Sequence, residues 1–149
     1  MILSQASQYA ICGLARLATS NGGYCRVTDL VRGTSAPADA VSKVFQQLAK
    51  RGLVRSRRGA RGGFQLSEAA RQASLMDVIE AVDGNWRGSV EESGFCSPTA
   101  PCPLSLLLRP VHRELERVLR TTRVADLASS ASGAGPEQTS VRPSCGEQP

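Results

Sequence analysis

The chain has 149 residues, 41% of them hydrophobic and 4% aromatic, a composition that supports one modest core rather than several. No run approaches the roughly 18 apolar residues that span a bilayer, and the N-terminus lacks the basic start and cleavage site of a secretory signal, so we predict a cytoplasmic protein. The formal net charge of +5 is unevenly spread, because residues 1–66 carry ten basic and two acidic residues, a balance that favours nucleic-acid binding by this half.

The first third of the chain is predicted to form three helices. Apolar residues recur at helical spacing over residues 3–19, where Ser4 is a suitable N-cap. A short amphipathic segment follows at 26–32, and a third helix is predicted over 37–51 because proline is tolerated at its first turn. The core-facing residues of the third helix would be Val41, Val44, Phe45 and Leu48.

A basic β-hairpin is predicted directly after the third helix. Residues 53–54 and 64–66 have the composition of short strands, and arginines interleaved with glycines fill the span between them. Helix, short helix, turn, helix and hairpin is the order of a winged helix-turn-helix, so we predict a mostly α fold of this kind. The predicted DNA-binding residues are Ser35, Ala38, Ser42, Lys43, Gln46, Arg55, Arg57, Arg58, Arg61 and Gly62.

The chemistry of this surface suits both the bases and the backbone of DNA. Gln46 matches the edge of adenine, and Lys43 matches guanine or a phosphate. Glycines at the hairpin tip allow positive φ angles and a close approach to the sugar–phosphate backbone, so Arg61 is predicted to enter the minor groove. The alternative is a solvated polar hairpin without a partner.

The second half begins with another helix and then a loop that contains two cysteines. Ser74 is predicted to cap a helix over 75–83, and Gly84 to stop it. In the following loop the stretch FCSPTAPCPL places Cys96 and Cys102 six positions apart. A metal or iron–sulfur site usually needs four ligand atoms, of which this loop supplies two thiolates.

A long helix is predicted from Pro103 to about Ala125, with a kink near Leu106 because Pro110 removes one backbone donor. Its apolar residues alternate steps of four and three, which is typical of a seam against a partner helix: Leu104, Leu108, Val111, Leu115 and Val118. Residues from 128 onward contain almost no large apolar side chains, so this tail is predicted to be disordered.

Five stretches of the chain carry a resemblance to a known family: MILSQASQYAICGLARLA, LAKRGLVRSRRGARGGFQLS, SLMDVIEAVDG, CPL and TTRVADL. They extend over about residues 1–127 and resemble the bacterial iron–sulfur regulators that include IscR and NsrR. The resemblance implies a homodimer paired through the long helix, a palindromic operator on double-stranded DNA, and a 2Fe–2S or 4Fe–4S cluster. Iron supply, oxidation or nitric oxide would change the cluster and thereby switch DNA binding.

The resemblance also implies candidate cluster ligands. The family places three cysteines six apart in the loop, where Cys96 and Cys102 match the middle and last positions and Val90 replaces the first. Some members add a ligand from the first helix of the partner subunit, at the positions of Gln8 and Cys12 here, although Cys12 is equally interpretable as a small buried hydrophobe. The fourth ligand is left open among Gln8, Glu91, Glu92, Ser93 and an exogenous molecule.

The resemblance leaves no histidine ligand in this chain. Some members use a histidine three residues after the last cysteine, where this chain has Ser105. His112 lies seven residues further along, about 10 Å away at 1.5 Å per residue, and is a poor substitute.

Four regions are therefore predicted: a winged helix-turn-helix domain at 1–84, a cysteine loop at 85–102, a dimerisation helix at 103–127 and a disordered tail at 128–149. The leading functional prediction is a non-enzymatic, homodimeric transcriptional regulator, most simply a repressor, that senses redox state, nitric oxide or iron through a cluster. The alternative keeps the fold and uses Cys96 and Cys102 as a thiol–disulfide switch. The third hypothesis is a thiol redox enzyme or a zinc-stabilised interaction module. The lack of a C-x-x-C motif argues against this hypothesis.

Overall fold

The computed structural model describes residues 3–20, 22–86 and 103–132. In it, serine side chains cap the N-termini of three helices. The hydroxyl of Ser4 accepts from the backbone N–H of Ser7 at 3.0 Å, and α1 then runs over Gln5–Thr19. Ser74 and Asp77 form a complete capping box at the start of α5, Leu75–Asp83, which ends at Gly84 with a φ of 81°. Both caps and the glycine stop agree with the sequence.

The remaining elements follow the predicted order, with one short helix that the periodicity did not indicate. They are α2 Val27–Leu30, α3 Ala38–Lys50, β1 Val54–Arg57, β2 Gly63–Leu66, α4 Glu68–Gln72, α6 Pro103–Thr121 and α7 Val124–Ser132. The short helix is α4, which Ser67 caps by accepting from the Ala70 N–H at 3.1 Å. The fold class, a mostly helical winged helix-turn-helix, is confirmed.

The core forms where α1, α3 and α5 pack together over the sheet. Phe45 of α3 is fully buried at its centre, 5.2 Å between ring centroids from Phe64 of β2. A Cβ atom at Gly13 of α1 would lie 2.5 Å from the Phe45 ring, so only glycine permits this close approach of the two helices. All four apolar residues predicted for the inner face of α3 are buried.

The sheet is an antiparallel hairpin to which one further residue is paired. β1 and β2 align from Val54 opposite Leu66 to Arg57 opposite Gly63. On the other side of β2, Cys25 exchanges two backbone hydrogen bonds of 2.8 Å with Phe64, and Cys25 itself is buried. The segment before α2 thereby acts as a third, one-residue strand of the hairpin.

The C-terminal part differs from the prediction of one helix followed by disorder. The predicted helix over 103–125 is two helices, and α7 extends into the predicted tail as far as Ser132. The break arises because Arg123 pairs with Ser74 in a β-bridge: the Leu75 N–H donates to the Thr122 carbonyl at 2.9 Å, and the Val124 N–H donates to the Ala73 carbonyl at 3.0 Å. Pro110 lies within α6 as expected. The predicted disorder beyond residue 132 lies outside the described residues.

Candidate nucleic-acid interface

The exposed face of α3 presents the polar residues that the sequence assigned to DNA reading. Lys43 and Gln46 are exposed, as is Ser35 in the turn before the helix, whereas Ala38 and Ser42 are half-buried. The opposite face of the same helix lies in the core, which leaves the polar face directed outward. An amide and an ammonium three residues apart on one helical face can together contact base edges and phosphate.

Arg16 of α1 fixes the turn between α2 and α3. Its Nη1 donates to the carbonyl of Leu30 at 2.7 Å and to that of Arg32 at 2.9 Å. These two carbonyls end α2 and begin the turn, and Gly33 in that turn has a φ of 73°. The side chain therefore couples α1 to the segment that orients α3.

The hairpin of β1 and β2 is the wing, and a tight turn over residues 59–62 at its tip holds Arg58 and Arg61 out in solvent. The Gly62 N–H donates to the Gly59 carbonyl at 2.9 Å, and Gly59 has a φ of 101°. Arg55, Arg57, Arg58 and Arg61 are all exposed. Gly62, which was predicted as a DNA-binding residue, is buried, and a Cβ atom there would lie 2.3 Å from the Arg57 carbonyl oxygen. Its observed place is inside the turn rather than on the surface.

Three side-chain contacts join the wing to the segment before α2, residues 22–26, and sequence reasoning missed all three. The Arg57 guanidinium lies over the Tyr24 ring, 5.6 Å from its centroid, and Arg26 donates to the carbonyl of Ala60 at the wing tip. The Gln65 side-chain amide also donates to the Gly22 carbonyl at 2.5 Å. A one-residue strand has no periodicity, so no pattern in the sequence indicated that Tyr24 and Arg26 face the wing.

Of the predicted cluster ligands, the structure describes only those on α1. Cys12 is exposed, so its interpretation as a buried hydrophobe is wrong, and its thiol is free. Gln8 is exposed one turn earlier on the same face, and its side-chain amide donates to the Leu3 carbonyl at 3.1 Å. Cys96, Cys102, Glu91, Glu92 and Ser93 lie outside the described residues. His112 is half-buried on α6.

Within residues 3–20, 22–86 and 103–132, no three His, Cys, Asp or Glu side chains gather closely enough to hold a metal ion. An exposed soft thiol fits a cluster ligand, but one thiol does not make a site.

The apolar face of α6 is divided between the core of its own chain and solvent. Leu115 packs against the core and Leu108 is half-buried, whereas Leu104 and Val111 are each 54% exposed and Val118 is 41% exposed. Leu107, outside the predicted seam, is 74% exposed. The exposed apolar stripe thus includes part of the predicted seam together with a residue beside it.

An ion pair stands beside the α6 stripe. The Arg117 Nε donates to Glu114 at 2.9 Å, and this hydrogen bond lowers the pKa of the Glu114 carboxyl and raises the pKa of the Arg117 guanidinium.

None of the helices in the described ranges is both long and apolar enough to cross a membrane.

Comparison with known proteins gives consistent matches over most of the chain. The profile of the Rrf2 family, described as iron-dependent transcriptional regulators, matches residues 3–130. The HTH-type regulator Rv1287 of Mycobacterium tuberculosis is 30% identical over 137 residues, which are 88% of this chain and 83% of that protein. The regulator IscR of Cronobacter sakazakii is 26% identical over 132 residues, 87% of this chain and 82% of IscR.

Solved structures agree in fold. CymR, the global cysteine regulator of B. subtilis, superposes with a TM-score of 0.67 at 22% identity, covering 87% of this chain and 98% of CymR. IscR of T. potens superposes with a TM-score of 0.67 at 23% identity, covering 93% of this chain and 94% of that one. These likenesses support the mostly helical winged-helix architecture derived above.

Proposed function

Since this chain belongs to the Rrf2 family of transcriptional regulators, we propose that it binds a palindromic operator as a homodimer and that cysteine chemistry controls this binding. Membership in a family of regulators confirms the predictions of the family and of a non-enzymatic role. The finer statements, about the residues that touch DNA, the pairing of two copies and the sensed signal, are the proposal.

The observation that carries the proposal for DNA is the shared exposure of the α3 face and the wing tip. Lys43 and Gln46 on α3 are exposed together with Arg58 and Arg61 at the tip. We assign base reading in the major groove to α3, and phosphate or minor-groove contact to the wing arginines. A repressor of this kind acts by occupying its operator. Because bacterial DNA lies in the cytoplasm, the proposed location of the protein is cytoplasmic.

The test of DNA binding is a salt titration on a duplex that the protein selects from a random pool. Each phosphate contact releases counterions, so log affinity should fall linearly with log salt concentration. A selected sequence with two inverted half-sites would support binding as a symmetric dimer, because operator symmetry follows protein symmetry. Failure to select any sequence would overturn the proposal.

The exposed stripe of α6 is proposed to be covered by the same helix of a second copy. Leu104, Leu107, Val111 and Val118 follow steps of three, four and seven, the spacing of a helix that pairs along one seam. Burying such a stripe against an identical stripe gives the self-complementary contact of a two-fold dimer.

For sensing, we propose that an iron–sulfur cluster is held by Cys96 and Cys102 with Cys12 of the partner subunit. Cys12 is an exposed thiol, which is what a ligand reached from outside its own subunit requires. A bound cluster would supply redox chemistry and reactivity toward nitric oxide. The fourth ligand is assigned to Gln8, Glu91, Glu92, Ser93 or an exogenous molecule, and such an oxygen- or nitrogen-ligated position would leave the cluster labile.

A second candidate, the Cys96/Cys102 thiol–disulfide switch, is favoured by one feature of the sequence. Val90 stands where the first cysteine of a three-cysteine loop would be, so the loop offers a pair of thiols rather than a triad. Two nearby thiols can form a reversible disulfide, which removes two hydrogens and needs an oxidant such as a peroxide or another disulfide.

Iron and sulfide analysis of protein purified without oxygen separates the two candidates. A cluster requires near-stoichiometric iron and acid-labile sulfide together with visible absorbance. Colourless protein that stays free of iron after reconstitution, and whose DNA affinity changes on oxidation of Cys96 and Cys102, would establish the thiol switch instead.

A further inference from the structure

We infer that Arg26 is a positioning residue for DNA binding, which fixes the wing tip and thereby places Arg61. The inference rests on the proposed contact between Arg61 and DNA and extends it to residues outside the wing. It derives from the pairing of the wing with the segment before α2, where Arg57 lies over Tyr24 and Arg26 donates to the Ala60 carbonyl.

The backbone register places two arginines on either side of one glycine. Arg57 lies opposite Gly63 in the pairing of β1 with β2, and Cys25 lies opposite Phe64 on the other side of β2. In an antiparallel ladder the residue after Cys25 faces the residue before Phe64, so Arg26 faces Gly63 as well. Arg26 and Arg57 therefore flank Gly63 from its two neighbouring strands.

Gly63 leaves the space that these long side chains use. Its φ is 137°, and a Cβ atom there would lie 2.2 Å from the Cys25 carbonyl oxygen, so no other residue fits. Without a side chain in the middle of this face, Arg57 can extend across β2 and reach the Tyr24 ring at 5.6 Å. Strands about 4.8 Å apart make such a reach feasible for an arginine.

The side chains of Arg57 and Arg26 each contact the segment opposite their own. The Arg57 side chain extends from the wing over the Tyr24 ring. The Arg26 side chain extends from the segment before α2 and donates to the Ala60 carbonyl in the wing. Ala60 is in the four-residue turn closed by the Gly62 N–H bond to Gly59, and it directly precedes Arg61. The wing tip is thus held from outside the hairpin at the residue next to the proposed DNA contact.

These contacts assign different roles to the basic residues of the region. Arg57 and Arg26 are engaged within the protein, whereas Arg58 and Arg61 are exposed at the turn. A free two-stranded hairpin is only marginally ordered on its own, so an added tether lowers the cost of ordering the tip on DNA.

The first experiment measures the tether in the free protein by amide hydrogen exchange. In Arg26→Ala, the Gly62 amide should exchange about fivefold faster or more, while the amides of Cys25 and Phe64, which pair by backbone alone, keep their wild-type rates. Arg26→Lys keeps a charge and a donor and should recover part of the slow exchange. An unchanged Gly62 rate in Arg26→Ala would overturn the inference.

The second experiment is a double-mutant cycle on the duplex that the wild-type protein selects from a random pool. Arg26→Ala should weaken binding about three- to tenfold in the wild-type background and less than about twofold in the Arg61→Ala background. Arg71→Ala on α4, whose Nε lies 3.7 Å from a Glu68 carboxylate oxygen, is the control for loss of one positive charge and should leave binding nearly unchanged.

The outcomes of the cycle separate this inference from the proposed function. Equal losses in both backgrounds would overturn positioning, because Arg26 would then contact DNA itself. Faster Gly62 exchange together with full binding by Arg61→Ala would overturn the proposed wing contact while upholding the tether.

Discussion

The buried hydroxyl of Ser7 donates to the Asp83 carboxylate at 2.6 Å, joining the first turn of α1 to the last residue of α5. Ser4 donates to the same carboxylate oxygen at 2.5 Å. The last residue of α5 is therefore attached to the helix that carries Cys12. We expect Asp83→Ala to lower the free energy of unfolding by about 1–3 kcal/mol, because it leaves a buried hydroxyl without its acceptor.

Ser7→Ala provides the matched comparison for this pair. It removes the donor, and Asp83, which is exposed, keeps its bond from Ser4, so the loss should be smaller than for Asp83→Ala. Urea denaturation followed by circular dichroism measures both variants. The reverse order of stabilities would contradict the assigned hydrogen bonds.

Gly62→Ala should disrupt the wing although it adds only one methyl group. The new Cβ would lie 2.3 Å from the Arg57 carbonyl oxygen, a backbone atom that cannot move aside alone. We expect a loss of about 1–3 kcal/mol in the free energy of unfolding and weaker DNA binding. Ala60→Ser, a similar small change at the exposed tip of the same turn, is the control and should be nearly neutral in thermal denaturation and in fluorescence anisotropy with DNA.

Arg61→Ala should weaken DNA binding and reduce its dependence on salt. Loss of one phosphate contact lowers the slope of log affinity against log salt concentration by about one. Anisotropy titrations at several salt concentrations measure both quantities, with Arg71→Ala as the charge-matched control. An unchanged slope would argue that the Arg61 guanidinium does not reach the phosphates.

Val111→Glu should prevent pairing of two copies. Val111 is 54% exposed in the middle of the α6 stripe, and a carboxylate there would meet the same group across a two-fold axis. Arg113→Glu, two residues away on a different face of the helix, tests the effect of a new acid outside the stripe. Light scattering after gel filtration should give a monomer for the first variant only; a dimer in both would place the pairing surface elsewhere.

Cys12→Ala should lower the lifetime of any bound cluster in air without changing the fold. Cys12 is exposed, so its replacement removes a thiol and little buried surface. Visible absorbance of the reconstituted protein measures the cluster. Cys25→Ala is an unsuitable control variant because Cys25 lies in the core. Thr19→Ala, at an exposed position further along α1, is the better one. Equal lifetimes in the Cys12 and Thr19 variants would exclude Cys12 as a ligand.

Local patterns predicted the parts of the fold that depend on periodicity and capping. Ser4, Ser74 and Gly84 bound their helices as expected, and the inner face of α3 is buried as its spacing indicated. The helix break before Arg123 escaped prediction because a contact with Ser74, far away in sequence, causes it. A residue such as Thr122 carries no stop signal of its own.

In the candidate site, too, local patterns predicted some features, whereas contacts between residues distant in sequence determine others. The identity of Lys43, Gln46 and the wing arginines follows from the helix-turn-helix order, and their exposure agrees with it. The tie from Arg26 to the wing depends on a one-residue strand, which composition and spacing cannot indicate. The exposure of Cys12 likewise depends on which face of α1 the core covers.

The bridge between Ser74 and Arg123 fixes the chain at the point where α6 meets the DNA-binding unit. In a pair of copies joined through α6, the distance and angle between the two recognition helices would be set at this junction. The length of the spacer between operator half-sites would then be determined by a backbone contact that touches no base. Lengthening the connection between Thr121 and Val124 is accordingly a route to regulators that prefer a different operator spacing.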